Sequence, residues 1–147
     1  FLLLNDYADW EGAFLSISLN AGVLPGNEVK YISKTVAPTL DEVRSIGGFR
    51  TVPDYSFQTM PADYAALVLI GGMQWQSPES ELVVPIVQDA LQRGKIVGAI
   101  CNASAFMGAH GFLNDVKHTS NTLPYLKQFA GNNHTCLRLW CRRAFRR

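Results

Sequence analysis

One residue of this chain stands where covalent chemistry could be done. In VGAICNASAFMGAHG, residues 97–111, an apolar, β-rich run stops on Cys101 and gives way at once to small helix-forming residues. A cysteine at the tip of a strand, just before a helix, is either a buried packing residue or a nucleophile held up on a sharp turn. A nucleophile elbow needs small neighbours, because its strained backbone leaves no room for bulky side chains. Gly98, Ala99, Ala103 and Ser104 meet that need. The following helix would direct its N-terminal dipole and open N–H groups at the sulfur, favouring the thiolate.

Two further features could meet Cys101. Glu11 lies at the start of the first helical stretch, and Gly71-Gly72 close an apolar strand. Backbone N–H groups around Gly71, Gly72 and Asn102 could receive an oxyanion. Each residue also has a plainer reading. Free cysteine is among the most buried residue types. Glu11 alone is an ordinary first-turn acid, and the glycine pair is the turn a strand end requires. His118 reads more readily as a packed or edge residue than as a base. His110 reads as structural, and Trp75 either floors a pocket or seals a dimer contact. His134, Cys136 and Cys141 match no zinc spacing, so neither a metal nor another cofactor is expected.

The elements that must position these groups alternate along the chain. FLLL is a short buried strand, followed by a turn and a helix on which Trp10, Phe14, Ile17 and Leu19 keep one face until Gly22. NEVKYIS alternates like a strand, and EVRSIGGFRTVPDYSF reads as a hairpin turning at Gly47-Gly48. YAALVLIGG and KIVGAI are continuous apolar strands. Between them SPESELVVPIVQDALQRG forms a helix in which Pro85 predicts a kink or a late start. NASAFMGAHGF is a short helix, KHTS a weak strand and TLPYLKQFA a last helix. Apolar strands alternating with helices predict a doubly wound α/β fold with a mostly parallel sheet. Such sheets bind ligands at the carboxyl ends of their strands, which here are NDYADWE, GGMQW and CNAS.

Length and composition narrow the rest. A chain of 147 residues suits one domain, here 1–131, followed by an atypical basic tail, 132–147. Residues 1–130 carry 8 Lys/Arg against 12 Asp/Glu, whereas 131–147 carry 5 Arg and no acid. The mildly acidic body argues against nucleic acid as a partner. No apolar run is long enough to span a bilayer, so no membrane partner is expected. FLLL is too short for a signal-peptide core, and three cysteines form no even-numbered disulfide framework. The cytoplasm is the expected compartment.

Three stretches in order, ADWEGAFLSISLNAG, ALVLIGGMQW and IVGAICNASAFMGAHGFL, resemble the ThiJ/PfpI superfamily over residues 1 to about 130. This is the class I glutamine amidotransferase-like group of intracellular proteases/amidases, to which the parkinsonism-associated deglycase belongs. The resemblance implies a flavodoxin-like three-layer sandwich, often dimeric, with a reactive elbow cysteine beside an acid from the first helix. By position, Cys101 matches the elbow, Glu11 the acid and Gly71-Gly72 the glycine pair. Members with protease or glyoxalase activity often have histidine directly after the cysteine; here Asn102 stands there. Other members place a histidine downstream at the start of the next helix, where HTSN puts Asn121, with His118 three residues earlier. The family continues through further strands and a helix where this chain turns to NNHTCLRLWCRRAFRR, which implies truncated or altered C-terminal elements.

The resemblance therefore implies a cysteine-dependent hydrolase, protease/amidase-like or glyoxalase/deglycase-like. Its substrate would be a small molecule or peptide, attacked at a carbonyl or amide. The alternative is a non-enzymatic redox-sensing or stress-response protein whose Cys101 oxidises. A ligand-sensing domain, of the kind fused to a DNA-binding module, is the third.

Overall fold

In the computed structural model, which describes residues 1–22, 28 and 31–130, the opening leucines sit at the centre of a parallel sheet. Leu2 pairs in parallel with both Val36 and Leu69. The Leu3 N–H donates to the Val36 carbonyl (2.9 Å), and the Ile70 N–H donates to the Leu2 carbonyl (3.1 Å). The opening segment thus lies between β1 (Val36–Ala37) and β5 (Ala66–Leu69). Outside β1 runs β4 (Tyr55–Ser56), and outside β5 runs β6 (Ile96–Ala99), each in parallel register with its neighbour.

Period-two alternation sends these side chains to two faces. Leu2, Leu4, Leu67 and Leu69 pack on one side with Val87 and Ala90 of α2 (Val84–Gln92) and with Ala103, Phe106 and Met107 of α3 (Asn102–Ala109). Leu3 and Ile70 pack on the other with Tyr7, Ala37 and Val43. Each fully buried leucine contributes about 2 kcal/mol of apolar transfer free energy. Burial on both faces is why these strands read as unbroken apolar runs, and it bears out the doubly wound, three-layer expectation.

The connecting elements follow local chemistry. Helix α1 (Asp9–Ala21) stops at Gly22, whose φ of +76° an L side chain rarely adopts. The hairpin pairs β2 (Val43–Arg44) antiparallel with β3 (Arg50–Thr51) across Gly47-Gly48. It is shorter than the sequence indicates. After Pro53 the chain leaves the hairpin, and Tyr55–Ser56 joins the main sheet as β4. Pro85 falls in the first turn of α2, preceded by a 3₁₀ run over Pro78–Val83, so the late start is the one observed. Helix α4 (Leu123–Ala130) is capped by Thr122, whose hydroxyl accepts the Tyr125 N–H at 3.2 Å.

Three expectations are corrected or left aside. The strand read at 27–33 falls partly outside the described residues. Within them, Tyr31 and Ile32 are 56% and 66% exposed, and the ladder begins only at Val36. The face of Trp10, Phe14 and Ile17 on α1 forms but points to solvent, and α1 contains no buried residue. The helix approaches the sheet instead through Gly12, where an added methyl would stand 3.3 Å from Ile70 Cδ1. The basic tail, with His134, Cys136 and Cys141, lies outside the described residues.

Candidate active site

The loop that leaves the opening strand is held from both sides. Tyr7 bridges in parallel to Ser45 of the hairpin and antiparallel to Gly72. The Ala8 N–H donates to the Gly71 carbonyl (2.8 Å), and the Met73 N–H to the Asp6 carbonyl (3.0 Å). Asp9 binds the hairpin, its Oδ2 accepting the Ser45 hydroxyl at 2.6 Å and the Gly47 N–H at 3.1 Å. These contacts deliver the first turn of α1, and with it Glu11, to the carboxyl ends of the opening strand and β5.

Glu11 Oε2 accepts the Gly71 N–H at 2.8 Å. A methyl on Gly71 would stand 2.5 Å from that oxygen, 2.8 Å from Cys101 Cβ and 2.8 Å from the Ile100 carbonyl oxygen. Gly71 is therefore the thin partition between the acid and the cysteine. At Gly72 an added methyl would collide with the Asp6 carbonyl and the Tyr7 backbone. The glycine pair is thus required by close approach as well as by turning.

Cys101 joins β6 to α3 at half-buried depth. Its φ of +55° and ψ of −123° are strained for any residue with a Cβ. Two bonds from Ser104 hold its carbonyl, one from the N–H at 3.0 Å and one from the hydroxyl at 2.5 Å. This is the elbow that the sequence indicates. Not all the expected small neighbours are sterically needed, because a methyl on Gly98 would meet only Val68, no nearer than 3.9 Å.

The sulfur receives the Asn121 amide, Nδ2 to Sγ, at 3.2 Å. The same Nδ2 lies 3.2 Å from Asn102 Oδ1, which also accepts the Tyr125 hydroxyl at 2.8 Å. Asn102 Nδ2 donates to the Gly72 carbonyl at 2.8 Å. Among the described residues, no backbone carbonyl takes up the N–H of Gly72 or of Asn102. His118 is half-buried, its Nδ1 2.9 Å from the Val116 carbonyl. The side chain that its segment brings to the sulfur is Asn121. The sequence signals this position only through alignment with the family's downstream histidine, and Tyr125 carries no sequence signal at all.

Trp75 is 2% exposed and donates its indole N–H to the Ile70 carbonyl at 2.8 Å. With Phe106, His110 and Phe129 it lines a cavity of about 130 Å³, so its role lies inside its own chain. His110 packs against Phe106, ring centres 4.5 Å apart, with Glu81 3.5 Å away, as suits a structural residue. Among the described residues, no group of histidine, cysteine and acidic side chains is placed to hold a metal ion. No helix among them is long and apolar enough to cross a membrane.

Comparison with known proteins agrees with this architecture. The uncharacterized protease YdeA of Bacillus subtilis is 38% identical over 130 residues, covering 88% of this chain and 61% of that protein. The uncharacterized protease YoaZ of the same organism is 30% identical over 127 residues, covering 85% and 60%. The chain thus spans about three fifths of these curated relatives. Among solved structures, a thiJ/pfpI family protein from Bacillus anthracis superposes with a TM-score of 0.81 at 30% identity, over 94% of this chain and 66% of that one. A DJ-1 superfamily protein from Agrobacterium tumefaciens gives 0.76 at 31% identity, over 90% and 70%. The family model described as DJ-1/PfpI matches residues 1–136, and with the flavodoxin-like sheet and the elbow in place the chain belongs to the DJ-1/PfpI family.

Proposed function

We propose that this chain is a cysteine-dependent hydrolase of the protease/amidase type, with Cys101 as nucleophile toward the carbonyl of an amide or related small molecule or peptide. The observation that carries this reading is the strained Cys101 backbone, +55° in φ, with a side-chain donor on its sulfur. Strain of this kind is about 1–3 kcal/mol and persists where a site needs a group held in one place. In the proposed reaction Sγ adds to the carbonyl carbon, and the oxyanion takes the N–H groups of Gly72 and Asn102. Glu11, across Gly71, takes the thiol proton and passes it to the leaving amine as the C–N bond breaks, and water then hydrolyses the thioester, releasing the acid and returning a proton to the sulfur. The relatives named as proteases support the class of reaction. The test is saturable turnover of peptide and amide substrates by the intact protein, abolished by Cys101→Ser. Turnover that survives Cys101→Ser refutes the reading.

The second reading is redox sensing. The side chains hydrogen-bonded to or flanking the sulfur are the carboxamides of Asn121 and Asn102, which supply no proton acceptor of histidine type. A hydroperoxide would transfer one oxygen to the sulfur and leave as the alcohol or water, giving the sulfenate; a second equivalent would give the sulfinate, and either would accept the Asn121 N–H. Readily trapped oxidised Cys101 with negligible turnover favours this reading over the first.

Partner and location belong to the same proposal. A homodimer through α1 is supported by Trp10, Phe14 and Ile17, spaced along one helical face and 58%, 82% and 62% exposed. The cytoplasmic location follows the sequence reading of the cysteines.

A further inference from the structure

We infer that Asn121 serves the reacting sulfur as a hydrogen-bond donor of fixed polarity, and that Asn102 and Tyr125 are the positioning residues that fix it. The inference rests on the reading of Cys101 as the reacting group.

The polarity is set by the backbone. The carbonyl of Gly72 can only accept, so the carboxamide facing it must present nitrogen, and Asn102 Nδ2 does so at 2.8 Å. Asn102 Oδ1 is thereby turned toward Tyr125 and Asn121. Tyr125 accepts the Gln76 amide at 3.3 Å and donates its own proton to Asn102 Oδ1 at 2.8 Å. Facing the same oxygen, Asn121 must also present nitrogen, at 3.2 Å. That nitrogen is the one lying 3.2 Å from Sγ. A reversed Asn121 amide would set oxygen against oxygen and oxygen against sulfur.

The chemical consequence is specific. A histidine here could withdraw a proton from the sulfur, whereas an amide N–H can only stabilise charge on it. Negative charge on Cys101, as thiolate or as oxidised sulfur, is met by a donor on the Asn121 side. Proton transfer is left to the Glu11 side, across Gly71. Asn121 donates to the reacting sulfur; Asn102 Oδ1, 3.9 Å from that sulfur, can only accept the thiol proton, so on the charged sulfur Asn102 and Tyr125 act through Asn121.

The test is the rate of Cys101 carbamidomethylation by iodoacetamide as a function of pH. It is read by peptide-resolved mass spectrometry so that Cys136 and Cys141 are scored separately. Asn121→Ala is expected to slow Cys101 alkylation at neutral pH by about three- to tenfold, the low end suiting an exposed donor, and to move the rate profile to higher pH. Asn121→Asp, of the same shape but acceptor-only, is expected to slow it further. Tyr125→Phe keeps the ring against Phe129, centroids 4.6 Å apart, and removes only the hydroxyl. It should shift the profile in the same direction as Asn121→Ala. The double variant should be no slower than Asn121→Ala alone, because Tyr125 acts only through Asn121. Should thermal melting show Tyr125→Phe unfolded, Tyr125→Leu, which also lacks the hydroxyl and leaves the Asn102 bond to Gly72 in place, supplies the same comparison.

A Tyr125→Phe profile identical to wild type, or losses that multiply in the double variant, overturns the positioning chain and leaves the Cys101 reading standing. A wild-type Cys101 that reacts only on unfolding overturns both.

Discussion

Replacing Gly71 by alanine tests the packing on which the candidate site depends. The added methyl would lie 2.5 Å from Glu11 Oε2, 2.8 Å from Cys101 Cβ and 2.8 Å from the Ile100 carbonyl oxygen. Glu11 can swing away, but doing so gives up the 2.8 Å bond from the Gly71 N–H. Cys101 Cβ and the Ile100 carbonyl cannot swing, because the Ile100 N–H is tied to the Leu69 carbonyl at 3.1 Å and Ser104 holds the Cys101 carbonyl. Losing a bond to a carboxylate is worth about 1.5–3 kcal/mol, the low end suiting a half-buried one, and forcing one methylene into a filled space about 1–3. The sum of about 3 kcal/mol corresponds to a drop in Tm of about 12 °C for a domain of this size. Gly98→Ala is the control, since its methyl would meet Val68 at no less than 3.9 Å and should leave Tm within about 2 °C. Differential scanning calorimetry of the three proteins reads this directly. A Gly71→Ala protein that melts with wild type would show that the acid and the cysteine do not close on Gly71.

The other expected outcomes are these. Cys101→Gly relieves the +55° backbone while Cys101→Ala does not, so the glycine variant should melt no lower than the alanine variant; a clearly lower melt would show that the elbow is unstrained. Phe14→Glu should convert a dimer to a monomer in sedimentation velocity without lowering Tm, Phe14 being 82% exposed; an unchanged sedimentation coefficient removes the α1 interface. Burial pushes the Asp54 carboxyl up, but the Thr35 N–H, the Lys34 ammonium and the Thr35 hydroxyl together hold it below its ordinary value of 3.8. A lowered carboxyl stabilises the fold above its unfolded value and loses that contribution as pH falls through the folded one. Asp54→Asn should therefore melt below wild type at neutral pH and converge with it below about pH 4; parallel melting curves across that range refute the coupling.

Legibility in the sequence followed burial. The strands around Leu2, Leu67 and Val97 are packed on both faces, so their apolar runs mark them whatever the tertiary detail. Pro85 and Gly22 marked helix ends because each restricts or frees φ in a way no neighbour can override. In the described part of the 27–33 stretch, Tyr31 and Ile32 misled because alternation alone does not make a strand; Val36 pairs because the opening segment lies beside it, a nonlocal fact. The α1 face misled for the opposite reason. Its apolar spacing is real, yet Gly12, which carries no side chain, is what meets the sheet. At the site, Cys101, Glu11 and Gly71-Gly72 were legible because strain, charge and close approach restrict residue type. Asn121 was legible only through the resemblance, which puts it where other members place a histidine, and Tyr125 was not legible at all, because a helical tyrosine is common anywhere; the polarity forced by the Gly72 carbonyl is what ties the two together.

The strain at Cys101 also explains why the elbow is held by hydrogen bonds to main-chain carbonyls rather than by a bulky core. A half-buried turn cannot rely on apolar burial to hold a conformation that stands about 1–3 kcal/mol above the favoured regions. Four hydrogen bonds converge there instead. The Ile100 N–H bonds to Leu69, the N–H and hydroxyl of Ser104 bond to the Cys101 carbonyl, and the Asn102 amide bonds to Gly72. At about 1 kcal/mol net each they exceed the strain with a small margin. All four end on main-chain carbonyls, of Leu69 in β5, of Cys101 itself and of Gly72 in the glycine turn, and the turn follows directly on the parallel register of Leu69 with Ala99. The residue after the cysteine bonds the glycine turn at the Gly72 carbonyl. In this chain that residue is Asn102, and the same bond that steadies the elbow also dictates which end of Asn121 faces the sulfur.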